Sequence, residues 1–166
     1  MDFARDISNR VFYIDDYGIY EEGTPKEIFS NPKKPKTQSF IFNIQSYTFE
    51  VNSTHFDYAE MLGGLENFCF RHAIPRKTAN KLQLLAEELM INILVLKYPE
   101  CKLHITYSEK LATYQLSVSY YGEPENVIDN ATDDLSAMMI KNLVKDIKHQ
   151  YVEGKNVLSL RIGSEG

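Results

Sequence analysis

The residues best placed to do chemistry are Glu88 and Asn92, in the run Glu88-Leu89-Met90-Ile91-Asn92. At this spacing on a helix, a carboxylate and a carboxamide stand on one side, beside the apolar stripe. The carboxylate accepts hydrogen bonds or a proton, and the amide both donates and accepts. Alone, the pair equally describes the polar rim of an amphipathic helix. Glu87 points well away from Asn92 and is the poorer candidate. The segment Gly122 to Asp134 carries Glu123, Glu125, Asp129, Asp133 and Asp134 with no Lys or Arg. Such a loop repels phosphates and favours a neutral or cationic partner. Cys69 and Cys101 form no CxxC and read as reduced thiols in or near a core, and His55, His72, His104 and His149 have no i, i+4 spacing, so neither a disulfide nor a zinc site is expected. No GxxxxGK[ST] phosphate-binding loop occurs in the sequence.

The elements that must position these residues are legible from periodicity. A helix from about Arg76 to Lys97 turns Leu82, Leu85, Ala86, Leu89, Ile93 and Leu96 to a core, and Pro99 ends it. A preceding helix spans Asp57 to His72 and is interrupted at Ile74-Pro75. Phe40 to Val51, rich in aromatic and β-branched residues, gives one or two strands. Lys102–Tyr107 and Thr113–Tyr121 alternate as an antiparallel pair across a Ser108–Leu111 turn. A helix follows from about Leu135 to Lys148. Strands at Gln150–Val152 and Val157–Ile162 then turn at Glu153-Gly154-Lys155-Asn156. The sum is an α+β, two-layer sandwich of a mainly antiparallel sheet with helices on one face.

The first 38 residues are organised differently. Arg10–Asp15 and Ile19–Glu22 read as a hairpin, and Thr24-Pro25-Lys26-Glu27 as the capping-box start of a short helix through Phe29. Residues 31–38 hold two prolines and three lysines and read as a linker or surface loop. A hairpin and a two-turn helix cannot bury enough apolar area to fold alone. The chain therefore divides into residues 1–38 and 39–166. Across 166 residues, 43% are hydrophobic and the net charge is -5, which excludes a disordered chain and a general nucleic-acid binder. The start Met1-Asp2-Phe3-Ala4-Arg5-Asp6 lacks a signal-peptide pattern, and the apolar stretch Leu89–Leu96 is too short to span a bilayer, so a cytoplasmic location is expected.

Many positions of the N-terminal segment match one pattern: Met1-Asp2-Phe3-Ala4-Arg5, Ser8-Asn9-Arg10-Val11, Asp15, Gly18-Ile19, Glu21-Glu22-Gly23-Thr24-Pro25, Ile28-Phe29-Ser30-Asn31-Pro32, Thr37 and Phe40. This segment resembles the C-terminal end of the ATPase subunit of polar amino-acid (glutamine-type) ABC importers. The resemblance implies that the P-loop, catalytic glutamate, signature motif and switch histidine belong upstream of the matched run. It also implies the ATPase body and a membrane permease as partners, and a peripheral place at the inner membrane face.

Residues from about 44 to 163 resemble the GHKL ATPase fold, most closely the small anti-sigma-factor serine kinases. Through that resemblance Glu88 corresponds to the general base and Asn92 to the residue holding the Mg²⁺ of a bound nucleotide. The family's Asp-x-Gly, whose Asp accepts from the adenine amino group, appears here as Tyr120-Tyr121-Gly122. A tyrosine cannot accept with that geometry and fills the adenine space. The Gly-x-Gly-Leu that lets phosphates approach a helix N-terminus appears as Ser136-Ala137-Met138-Met139. Ile140, Leu143, Val144, Asp146 and Gly154–Leu160 keep the family pattern. The cleft residues are thus Glu88, Asn92, Tyr120, Gly122, Ser136 and Met138, in a degenerate nucleotide site with no catalytic residue and no cofactor expected; Asn92 is a metal ligand only if Mg-nucleotide binds.

The expected function is a non-catalytic regulatory or interaction region of an amino-acid ABC transporter ATP-binding subunit. It would act on the transporter, a homodimer mate, a cytosolic protein or a small-molecule effector. The alternatives are an ATP-binding anti-sigma-type serine kinase and a scaffold or dimerisation domain. Two parts of such different core size should differ in protection. Amide hydrogen exchange of the whole chain is expected to be slow across 44–163 and faster in the hairpin; equal, slow exchange in both would mean one integrated domain.

Overall fold

In the computed structural model the described residues are 2–52, 56–131 and 134–163. Met1 of the matched run, His55 and Asp133 lie outside them. The chain forms two compact units: residues 1–45 with the turn Ser108–Leu111, and residues 46–107 with 112–166. The boundary therefore falls after Gln45 rather than at residue 38, because 35–45 associates with the hairpin.

The first unit contains α1 (Asp2–Ile7), β1 (Val11–Asp15), β2 (Gly18–Gly23), α2 (Pro25–Ser30) and α3 (Pro35–Ile41). Strands β1 and β2 pair antiparallel, with a bulge after Tyr13. The capping box of α2 is complete: Thr24 Oγ1 accepts from the Glu27 amide, and the Glu27 carboxylate accepts from the Thr24 amide at 2.8 Å. The expected linker is only partly a loop. Pro35 begins α3, since its fixed φ suits the first helical position. The buried Glu21 carboxylate accepts from the Lys33 and Lys34 amides, at 2.7 and 3.1 Å, just ahead of that helix. Phe40 and Ile41 are thus helical, not part of a strand. Ile28, Phe29 and Ile41 form a small core with Val11 and Phe42 against it.

The second unit is an α+β sandwich. Its five-stranded antiparallel sheet runs in the order β3-β4-β5-β7-β6, made of β3 (Ile44–Asn52), β4 (Glu100–Ser108), β5 (Thr113–Tyr121), β6 (Asp146–Val152) and β7 (Lys155–Gly163). The helices are α4 (Tyr58–Arg71), α5 (Arg76–Glu87) and α6 (Asp134–Leu143). Strand alternation turns Leu103 and Ile105, Leu116 and Val118, and Leu158 and Leu160 inward, where Leu82, Leu85 and Leu89 meet them. α6 stops at Leu143 rather than at Lys148. Asp146–Lys148 already pair with β7, because edge pairing satisfies backbone groups that a longer helix would leave beside the sheet.

The predicted helix 76–97 is corrected in a more informative way. From Glu88 to Leu94 it widens into a π-helix, with the Val95 amide donating to the Met90 carbonyl at 2.9 Å. The wider turn shifts the phase of everything after it. Met90 and Leu94 become buried, whereas Leu96, expected on the core face, is 82% exposed. Leu103→Ala, at the centre of the sheet's inner face, should cost about 2–5 kcal/mol. Urea unfolding followed by far-UV circular dichroism measures it, since the chain contains no Trp.

Candidate functional site

The π-helical segment brings three of the expected residues together. Asn92 Nδ2 donates to Glu88 Oε2 at 2.8 Å, and Ser136 Oγ, from the start of α6, donates to the same oxygen at 2.5 Å. Ser136 is buried beneath α6, while Met138, one turn on, is 56% exposed and points no side chain into a core. Glu87 lies apart and accepts from the Tyr58 hydroxyl at 3.2 Å.

Tyr120 stands elsewhere, at the end of β5. Its side chain is completely buried, its ring lies 4.6 Å from that of Tyr98, and its hydroxyl donates to the Glu125 carbonyl at 2.5 Å. Burial pushes its phenol up to about 12, so it stays a neutral donor. Tyr121, next in the strand, points to the opposite side and is exposed, with Lys155 over its ring. Of Tyr120, Tyr121 and Met138, only Tyr120 fills interior space. Gly122 has φ +151°, and a Cβ there would meet Tyr98 Cε1 at 3.0 Å, so this position requires glycine.

The acidic loop after β5 is tied down at several points. Val127 and Ile128 are buried in the core. The Glu125 carboxylate accepts from Lys97 Nζ at 2.5 Å, from the Tyr98 hydroxyl and from Asn130. Burial alone would raise the Glu125 carboxyl, but these donors outweigh it and hold it below the usual carboxylate range. Tyr98, buried against this carboxylate, is pushed up to about 12. The completely buried Asn156 finishes the attachment: its Oδ1 accepts from the Glu125 amide and His149 Nε2, both at 2.9 Å, and its Nδ2 donates to the Glu123 carbonyl at 3.0 Å. On the outside, Lys141 of α6 reaches Asp129 at 3.0 Å.

Lys97, Tyr98 and Asn156 escape a search for catalytic motifs. Asn156 did leave a signal, being the polar residue in phase with the inward-facing Leu158, Leu160 and Ile162 of β7. Between the loop and the π-helical segment a cleft of about 290 Å³ or less remains, about 250 Å³, lined by Asn92, Ile93, Leu96, Lys97, Glu125, Val127, Asn130 and Ala131. Asn92 borders it; Tyr120 does not. The cysteines are free and buried, and burial pushes both thiols up to about 11, too protonated for nucleophilic work at neutral pH. Among the described residues no His, Cys, Asp and Glu cluster could hold a metal ion, and no helix is long and apolar enough to cross a membrane.

No family model matches this chain. Stretches the length of the N-terminal segment with its helix α3 do match curated ATP-binding proteins. The nopaline permease ATP-binding protein P of Agrobacterium fabrum is 41% identical over 44 residues, which are 26% of this chain and 17% of that protein. The probable amino-acid ABC transporter ATP-binding protein y4tH of Sinorhizobium fredii is 51% identical over 41 residues, 25% of this chain and 16% of that one. The methionine import ATP-binding protein MetN of Streptococcus pneumoniae is 54% identical over 41 residues, 25% and 12%. The chain thus spans less than a fifth of each of these relatives. Among solved structures, a chain of the SiaB–SiaC complex of Pseudomonas aeruginosa superposes with a TM-score of 0.51 at 14% identity, covering 76% of this chain and 94% of that one. At this identity the likeness is one of fold. The two parts of the sequence thus resemble two different kinds of protein, an amino-acid ABC transporter ATP-binding protein and a small α+β sandwich.

The loop attachment carries a pH dependence. Because the Glu125 carboxyl is depressed in the folded state, its contribution is present above the unfolded value of about 4.5 and is lost as pH falls through the lower folded value. Glu125→Gln, measured at pH 7, is expected to speed amide exchange in residues 122–131 at least about tenfold while leaving β4 and β7 protected. Unchanged exchange in the loop would show that the carboxylate does not hold it.

Proposed function

We propose that this chain is a non-catalytic regulatory or interaction region associated with the ATP-binding component of an amino-acid ABC transporter. The buried Tyr120 carries the non-catalytic part of this reading. Where the resemblance calls for an exposed acceptor carboxylate, a closed ring is seated against Tyr98 and anchored on the Glu125 carbonyl. The remaining residues fit a magnesium nucleotide poorly. The Asn92 amide and Ser136 hydroxyl are both spent on one oxygen of Glu88, and the loop above them offers carboxylates to any phosphate. The matches to amino-acid ABC transporter ATP-binding proteins support the transporter association, and through it an ATPase body and a membrane permease as partners. The second unit is then the regulatory part, a GHKL-like sandwich that retains its fold while its nucleotide cleft is filled. Its remaining cleft, walled by Ile93 and Val127 and bordered by Asn92, Lys97 and Glu125, suits a small neutral or cationic effector.

The serine-kinase reading draws on the Glu88–Asn92 pair, which stands on one side of its helix as that chemistry requires. Titration separates the two. Isothermal titration of the chain with Mg-ATP and Mg-ADP is expected to give no binding tighter than about 1 mM, equivalent to about 4 kcal/mol. A dissociation constant near micromolar would favour the kinase and end the non-catalytic reading.

A further inference from the structure

We propose that the outer face of the β1–β2 hairpin is the docking surface for the body of an ABC ATP-binding domain, with Phe12, Ile14 and Ile19 as its apolar anchors. The inference rests on the transporter reading above and adds to it the surface of attachment. The hairpin has two unlike faces. On one, Val11 packs against the Ile28, Phe29 and Ile41 core, and the Tyr13 ring lies 5.9 Å from Tyr20 and 5.4 Å from Phe40. Strand alternation sends Phe12 and Ile14 to the other face. Strand pairing sets Glu22 opposite Phe12 and Ile19 opposite Ile14, so the apolar side chains adjoin.

These three side chains are 46%, 66% and 63% exposed. Glu22, the charged residue among them, is engaged by Arg10, whose guanidinium also lies 5.9 Å from the Phe12 ring. The face is therefore apolar with its rim charge neutralised, the composition of the middle of an interface rather than of a solvated surface. A two-stranded hairpin of this length is marginal without cover on both sides.

The occupant follows from length. The matched stretches are only 12–17% of the relatives, so more than four-fifths of each such protein lies outside the segment that carries this hairpin. In those proteins the hairpin sequence belongs to an ATP-binding protein whose remaining bulk is available to cover it. A second copy of this chain is the competing occupant.

The test joins the y4tH body to the full 166-residue chain, in place of its own 41 matched residues. The fusion is expected to be soluble and to bind ATP as unmodified y4tH does. Phe12→Asp, Ile14→Asp and Ile19→Asp together should lower its soluble, ATP-binding yield at least about tenfold, as loss of central anchors does. The same triple substitution in the isolated chain should leave its far-UV circular dichroism unchanged, because it touches only the bare face. A triple-substituted fusion that behaves like the unsubstituted one would overturn the proposal. So would an unsubstituted fusion that fails beside a working y4tH control. An isolated chain that is dimeric, and becomes monomeric on triple substitution, would assign the face to a second copy and overturn it equally. None of these outcomes depends on the nucleotide titration, which probes the second unit alone.

Discussion

The buried hydroxyl of Tyr120 is the constraint from which the arrangement of the second unit's cleft follows. A phenol taken wholly out of water must find an acceptor, and the one within reach is the Glu125 carbonyl. Meeting that need draws the following loop onto the sheet. The drawn-in loop then has polar backbone of its own to satisfy, which Asn156 does from β7. The Glu125 carboxylate, carried along, is met by Lys97 and Tyr98. Each group is where it is because the previous one could not be left unpaired.

The same reasoning separates what was legible in the sequence from what was not. Strand β5 was read with its observed ends, Thr113 and Tyr121, because strict alternation and flanking turns leave little choice. The α2 capping box was equally plain, being a local pattern with a local cause. The α+β sandwich was legible as a sum of such elements. The π-helical turn was not, since residues 88–94 satisfy an α-helical stripe almost as well as a π-helical one. Only packing on the sheet chooses Leu94 over Leu96. At the cleft, the sequence marked Tyr120 as a misfit for an acceptor. It could not show that Met138 would point outward, because that depends on the angle at which α6 leaves the loop.

The two units illustrate different ways for a short stretch of chain to be stable. The second has a continuous apolar layer between three helices and a sheet and matches nearly the whole of another protein's chain in fold. The first relies on small polar devices: a capping box, a carboxylate at the entrance to α3 and a core of a few side chains. That contrast agrees with the comparisons, in which the first part resembles a small share of large proteins.

The π-helical turn sets an angular clock for everything beyond it. Lys97 and Tyr98 reach Glu125 because the helix arrives at Val95 rotated by one surplus residue relative to a plain α-helix. Removing a single residue between Glu88 and Leu94 would restore the α-helical phase. Leu96 would swing toward the core, Leu94 would leave it, and the ammonium and phenol that hold the loop would face elsewhere. The number of residues in this helix is therefore a property of the cleft as much as of the helix, and a length change there would act on the loop without altering any residue that touches it.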